Sequence, residues 1–231
     1  MNIALILSGG NGNRLGTDIP KQYLEIGGRT VISYCLEVFE TCRSISAIQI
    51  VADEKWHELI ERSALTKLKG FSAPGITRQL SILNGLEDMR AYAGEEDIVI
   101  IHDAARPFVS EGQIECLIEA VKAHDGAIPV LPMKDTVYLS NDGRKIISLL
   151  DRKYVVAGQA PEGFKLGMYY EANRNLLPDE IMKINGSTEP AVLAGLDIVT
   201  IQGDEQNFKI TTRDDLVRFE EIISRGCQKV R

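Results

Sequence analysis

The stretch Ser8-Gly9-Gly10-Asn11-Gly12-Asn13-Arg14-Leu15-Gly16 carries four glycines directly behind an apolar run. Glycines in that place let backbone N–H groups close on a polyanion. The spacing completes neither GxxxxGKS/T nor GxGxxG, because position 15 is leucine, and a bare strand-to-helix turn is the competing reading. Arg14 and Lys21, the latter after Pro20, set two cations beside this loop. A second pair, His102-Asp103, closes another apolar run. Asp103 is a hard oxygen donor suited to Mg2+ bridging phosphates, and an Asp before Ala104-Ala105 is also a good helix N-cap. The cationic Arg106 three residues on favours the metal or substrate role, and His102 reads as structural.

These residues are far apart in the chain and need a scaffold that brings strand ends together. Residues 3–7 form a continuous apolar run ending in glycines, the pattern of a strand buried on both faces of a parallel sheet. Residues 45–51, interrupted by Ser46 and Gln49, are a second candidate, and 97–101 and 126–130 follow. Amphipathic segments over 31–39, 55–64, 80–89 and 113–123 alternate with them. That alternation predicts an α/β fold with a doubly wound, mostly parallel sheet and helices on both faces. Ligands in such folds bind outside the carboxyl ends of the strands, where the glycine loop and His102-Asp103 both fall.

Over 134–159 the pattern changes. Residues 136–139 and 145–149 flank Ser140-Asn141-Asp142-Gly143, a hairpin signal with Asp-Gly at its tip, which predicts a protruding β-arm. Such a hairpin is marginal alone and exposes strand edges, so packing against a second subunit is its natural support. A strand over 197–202, the segment 207–211 and an amphipathic helix over 213–225 close the chain. No repeat, low-complexity tract or linker divides it, so 1–231 reads as one domain.

A net charge of −7 without a Lys/Arg stripe argues against nucleic-acid binding, so an anionic ligand needs a local basic pocket. Cys35, Cys42, Cys116 and Cys227 show no metal-ligand spacing and read as incidental thiols in a reducing compartment. The N-terminal apolar run is too short for a signal-peptide core, and no stretch approaches the roughly 20 apolar residues of a membrane span. A cytoplasmic protein is expected.

The glycines, Arg14 and Pro20-Lys21-Gln22-Tyr23-Leu24 together resemble the signature of sugar-phosphate nucleotidyltransferases, specifically the cytidylyltransferases acting on methylerythritol phosphate and ribitol phosphate. The likeness continues along the chain. Residues 75–86, beginning Gly75-Ile76-Thr77-Arg78-Gln79-Leu80-Ser81, look like the second motif of that family, His102-Asp103-Ala104-Ala105-Arg106-Pro107 the third, Lys134-Asp135-Thr136 the fourth and Asn207-Phe208-Lys209-Ile210-Thr211 the last. The resemblance implies a Rossmann-like nucleotidyltransferase that uses Mg2+ to transfer CMP from CTP to a polyol phosphate. Phosphoryl-type transfer demands cations around the α-phosphate. Lys21 and Lys209 are the candidates there, with Arg14 and the amides of Ser8, Gly9, Gly10 and Gly12 on the triphosphate. Arg78 and Ser81 are implied to hold the cytidine. Asp103, Arg106, Thr136 and Arg152 are implied at the acceptor, Asp103 also as metal ligand, with Arg152 reaching into the neighbouring subunit of a homodimer formed through the arm.

Two stretches depart from the family pattern. Relatives carry Gln-Thr-Pro-Gln where this chain has Gln159-Ala160-Pro161-Glu162, and Thr-Asp where it reads Asn185-Gly186-Ser187-Thr188-Glu189-Pro190. Losing a hydroxyl at Ala160 and adding charge at Glu162 leave the acceptor open among methylerythritol 4-phosphate, ribitol 5-phosphate and other short polyol phosphates. A nucleotide-dependent glycosyltransferase shares the sheet and an Asp-based metal site, and a non-catalytic nucleotide-binding module keeps the glycine loop. Neither needs Lys21 and Lys209 together at an α-phosphate.

Overall fold

In the computed structural model, which describes residues 1–10 and 19–228, the first apolar run forms strand β1 (Asn2–Leu7). Successive side chains on a strand point to opposite faces. Ile3 and Leu5 enter one core, with Ile82, Leu86 and Tyr169, while Ala4 and Ile6 enter another, with Leu36, Phe39 and Leu117. Burial on both faces is why this strand reads as an unbroken apolar run.

A short hairpin follows, β2 (Glu25–Ile26) and β3 (Arg29–Thr30), then helix α1 (Val31–Thr41), β4 (Ala47–Val51) and α2 (His57–Glu61). Next come β5 (Leu68–Ser72), α3 (Arg78–Met89), β6 (Ile98–Asp103), α4 (Glu111–Ala123) and β7 (Gly126–Pro132). The hairpin strands β8 (Val137–Leu139) and β9 (Ser148–Leu150) precede β10 (Val156–Gly158) and β11 (Glu162–Lys165). Helices α5 (Leu166–Arg174) and α6 (Glu189–Leu193), strand β12 (Ile198–Gln202) and helix α7 (Arg213–Gln228) follow.

The main sheet has the order β10-β7-β11-β6-β1-β4-β5, with β12 also on β7. Strands β5, β4, β1 and β6 are parallel, and β12 is parallel to β7. Strand β11 lies antiparallel between β6 and β7, which leaves those two parallel to each other, and β10 is antiparallel to β7. The mostly parallel sheet expected from the apolar runs is present, with two reversed strands that no run announced.

From β1 the chain moves outward through β4 and β5, then returns to β6 on the other side of β1. Open α/β sheets bind ligands where the strand order reverses in this way. Leu7 and Asp103 are register partners, so the glycine loop and Asp103 leave the sheet side by side.

Elsewhere the boundaries shift. The segment 55–64 is divided between a 3-10 turn, Glu54–Trp56, and the short α2, and Ala64 beyond it adopts a φ of 50°. In the arm, the second strand begins at Ser148 rather than near Lys145, because Asp142 Oδ1 accepts from the backbone of both Arg144 and Lys145 and holds them in the tip. Gly143 supplies the positive φ of 70° that this tip requires. Helix α7 joins a third core, in which Phe219 meets Ile26, Val31 and Ile210.

Candidate active site

A cleft of about 480 Å³ opens at the carboxyl ends of β1 and β6. Gly9 and Gly10 line it beside Lys21 and Gln22, residues 75–78 and Ser81 form another wall, and Asp103 and Lys209 complete it. Gly9 and Gly75 are dictated by close approach. A Cβ on Gly9 would lie 2.5 Å from Pro74 Cβ, and one on Gly75 would lie 2.8 Å from the backbone nitrogen of Ser81.

Each cation is brought in by its neighbours. Pro20 leads into the 3-10 turn Lys21–Tyr23, whose Gln22 and Tyr23 are buried. Gln22 donates to the carbonyls of Ser8 (2.7 Å) and Gly10 (2.9 Å), tying the turn that carries Lys21 to the glycine loop. Tyr23 accepts from Ser8 Oγ at 2.7 Å and stacks on Trp56, and Ser8 N–H donates to the Val51 carbonyl at 2.8 Å, so against expectation neither Ser8 group is offered to the cleft. Thr77 caps α3 by accepting from Leu80 N at 3.1 Å, which makes Arg78 the first helical residue. Ser81 Oγ accepts from Gly75 N and donates to the Thr77 carbonyl, both at 2.9 Å, and so shapes the loop beside the cleft. Lys209 sits between Phe208 and Ile210, which pack into the third core, and Ile210 N donates to the Ala105 carbonyl at 2.9 Å.

Arg78, Lys209 and Arg106 converge on one carboxylate. Asp103 Oδ1 lies 3.1 Å from Arg78 Nη2, and Oδ2 lies 3.0 Å from Lys209 Nζ and 3.5 Å from Arg106 Nε. Burial alone would raise the Asp103 pKa, but Arg78, Lys209 and Arg106 overcome it and hold the carboxyl well below the usual range. The N-cap reading of Asp103 does not hold, since a turn follows β6 and the next helix, α4, is capped by Ser110. Arg106 is placed beside Asp103 as expected, yet it is not part of the cleft lining. Its Nη1 donates to the Asn207 carbonyl at 2.7 Å, and Asn207 in turn bonds Gln113 and the Ala160 carbonyl.

His102 is fully buried, and burial lowers its pKa to about 4. Its Nε2 lies 2.9 Å from the Arg106 carbonyl, so that nitrogen carries the proton of a neutral imidazole. The structural reading stands. Thr136 and Arg152 are exposed on the arm side, away from the cleft lining, and Arg152 Nη1 donates to the Lys134 carbonyl at 2.6 Å. Gly12 and Arg14 lie outside the described residues.

The two departures from the family pattern meet in space. Ala160 is buried, and so is Glu162, whose Oε1 accepts from Ser187 Oγ at 3.0 Å and whose Oε2 accepts from Thr188 Oγ1 at 2.7 Å. The added charge is therefore engaged inside the protein rather than presented to solvent. Neither Ser187 nor Gln22 was singled out as a functional residue in the sequence. Only the Thr77 cap had a local signal, a Thr ahead of the helical pattern.

A sheet with a strand reversal, a glycine loop and a carboxylate ringed by cations are features that a nucleotidyltransferase site requires. The chain belongs to the family described as IspD: 2-C-methyl-D-erythritol 4-phosphate cytidylyltransferase, whose model matches residues 2–225. It is 34% identical over 227 residues to a ribitol-5-phosphate cytidylyltransferase of Streptococcus agalactiae serotype V, covering 96% of this chain and 95% of that one. It is 36% identical over 228 residues to a 2-C-methyl-D-erythritol 4-phosphate cytidylyltransferase of Geobacter metallireducens, covering 95% and 96%. The crystal structure of the Francisella tularensis 2-C-methyl-D-erythritol 4-phosphate cytidylyltransferase superposes with a TM-score of 0.80 at 25% identity, covering 94% of this chain and 97% of that one. The chain is a cytidylyltransferase by family.

Proposed function

We propose that this chain transfers CMP from CTP to the phosphate of a short polyol, with ribitol 5-phosphate or 2-C-methyl-D-erythritol 4-phosphate as acceptor. The observation that carries the reading is the convergence of Lys21, Arg78 and Lys209 with Asp103 in one cleft at the end of β1 and β6. A phosphate oxygen of the acceptor attacks the α-phosphorus of CTP. The new O–P bond forms as the bond to the β-phosphate bridging oxygen breaks, and pyrophosphate leaves with that electron pair. The acceptor needs no general base, because the second pKa of a phosphate monoester is about 6. Lys21 and Lys209 stabilise the charge that builds on the α-phosphate, and the amides of Gly9 and Gly10 face the triphosphate.

Among the described residues no three His, Cys, Asp or Glu side chains cluster as a metal cage. Mg2+ is commonly held by one or two carboxylates and substrate phosphates, and Asp103 is the acidic residue among the described lining residues. Arg78 and Lys209 occupy its oxygens here, and a triphosphate that draws those cations onto its own oxygens would release Asp103 as a ligand. Mg2+ would supply further neutralisation of the phosphate charge.

The arm fits a homodimer contact. Ile146, Ile147, Leu149 and Tyr154 are 52–78% exposed, an apolar surface that a second copy would cover. In that assembly Arg152 would reach the neighbouring site. No helix among the described residues is long and apolar enough to cross a membrane, and a CTP donor suits a cytoplasmic reaction. Incubating the protein with CTP, Mg2+ and a panel of polyol phosphates tests the proposal through pyrophosphate release. Release with ribitol 5-phosphate or 2-C-methyl-D-erythritol 4-phosphate is expected. CTP binding with no release for any acceptor would leave a nucleotide-binding module, and CMP transfer to none but a sugar acceptor would favour a different transferase.

A further inference from the structure

Glu162 stands at the start of β11, the reversed strand between β6 and β7, and its register partner is Ile101, two residues before Asp103. Both oxygens of its buried carboxylate accept hydrogen bonds from one loop, Oε1 from Ser187 and Oε2 from Thr188. Ser187 is itself buried, and its hydroxyl also accepts from Arg78 Nη1. The other terminal nitrogen of Arg78 bonds Asp103 Oδ1. A continuous chain of contacts thus runs from Glu162 through Ser187 and Arg78 to Asp103.

The direction of each bond follows from the groups present. A guanidinium only donates, so Ser187 Oγ must accept from Arg78 and has one proton to give. An ionised carboxylate only accepts, and it takes that proton together with the one from Thr188. An amide at position 162 has a single acceptor oxygen. Ser187 and Thr188 then compete for that one oxygen, and whenever the NH2 faces Ser187, whose hydroxyl already accepts from Arg78, the relay is broken. The backbone of the same loop is fixed independently, since Tyr169 Oη donates to the Ser187 carbonyl at 2.6 Å. What the Glu162 carboxylate adds is the orientation of the Ser187 hydroxyl toward Arg78.

We propose that Glu162 is a positioning residue for nucleotide binding, acting through the Ser187 hydroxyl to hold the Arg78 guanidinium at the cleft wall beside Asp103. The inference rests on the cytidylyl-transfer reading above and concerns a residue that lies outside the cleft lining. Burial pushes the Glu162 carboxyl above its ordinary range, while Arg78, Thr188 and Ser187 favour its charged form.

The test is CTP affinity by titration calorimetry, paired with steady-state kinetics, for wild type, Glu162→Gln, Ser187→Ala and the double variant. Glu162→Gln is expected to weaken CTP binding and raise the KM for CTP about tenfold, while kcat and the acceptor KM change by less than about threefold. Ser187→Ala should weaken CTP to a similar degree, and Glu162→Gln should add little in that background, because both break one relay. Moving the carboxylate across the 2.7 Å contact to the loop, in Glu162→Gln/Thr188→Asp, should recover most of the affinity. Unchanged CTP affinity in folded Glu162→Gln overturns the proposal. So do additive losses in the double variant, or an equal fall in kcat with CTP affinity intact. Failure of Glu162→Gln to fold, with Ser187→Ala folded and binding CTP normally, also overturns it. A wild-type protein that binds no CTP overturns the cytidylyl reading itself.

Discussion

In the cleft, one buried carboxylate is ringed by Arg78, Arg106 and Lys209, and the segments that carry them are anchored in core. In the arm, two three-residue strands leave Tyr138, Leu139, Ile147 and Leu149 about half exposed or more. The contrast separates two uses of interaction energy. A transition-state charge is stabilised only by groups already in place, so the cleft must be organised from within the chain. The arm is held by a three-pair ladder and bonds at its tip, and its apolar side chains stay largely exposed within the chain.

The largest effect should come from breaking the centre of the cleft. Asp103→Asn removes the one charge that all three cations share, and a loss of roughly 3 kcal/mol in denaturant unfolding is expected, with Mg2+-dependent pyrophosphate release abolished. Retained Mg2+ dependence at wild-type stability would remove Asp103 from both roles.

The neighbouring His102 sharpens the same point through pH. Its pKa is lowered from 6.5 to about 4 by burial, so between those values the unfolded chain binds a proton that the folded chain does not. Stability therefore falls as pH drops from about 6.5 toward 4, by on the order of 3 kcal/mol. The depressed Asp103 carboxyl acts lower, its contribution being lost only as pH falls below the ordinary Asp range. Unfolding curves of wild type and His102→Gln across that window should diverge, and parallel curves would refute the assignment.

Lys21→Ala and Lys209→Ala come next, each lowering turnover by roughly tenfold or more through loss of a charge whose interaction strengthens in the transition state. Near-normal kcat in either variant removes that lysine from the mechanism.

For the arm, Leu149→Asp should weaken self-association by about tenfold while leaving monomer unfolding within about 0.5 kcal/mol, because Leu149 is exposed within the chain. Sedimentation measures the first and denaturant titration the second, and a large stability loss would mean that the arm packs on its own chain. The smallest expected effect is that of Arg152→Ala, a rise of about fivefold in acceptor KM with CTP affinity unchanged. Mixed with Lys21→Ala in subunits shown to exchange, it should restore some activity, since one site of the heterodimer would combine an intact Lys21 with an intact neighbouring Arg152. No complementation would confine Arg152 to its own chain.

Much of the site was legible because its signals are local. Buried parallel strands read as continuous apolar runs, and the glycine loop and Asp103 stand directly at the ends of two of them. Strand β5 escaped because Gly70 and the charged Lys69 interrupt it, and β11 because four residues after Pro161 carry no periodicity. The i+3 spacing of Arg106 correctly placed it near Asp103. The turn after β6 and the Asn207 carbonyl keep its guanidinium out of the cleft lining, a result of long-range bonding that no spacing encodes.

The sequence by itself determined the mostly parallel sheet, the carboxyl-end location of the candidate site, the family motifs and the hairpin, since each rests on runs and spacings within a few residues. Tertiary structure alone decided that Arg78, Arg106 and Lys209 share Asp103, and that Gln22 ties Lys21 to the glycine loop. It also decided that Glu162 meets Ser187 and Thr188, although 25 and 26 positions separate them along the chain. Contacts of that kind depend on insertion of a reversed strand between β6 and β7, and strand pairing over such distances leaves no periodic trace in either partner.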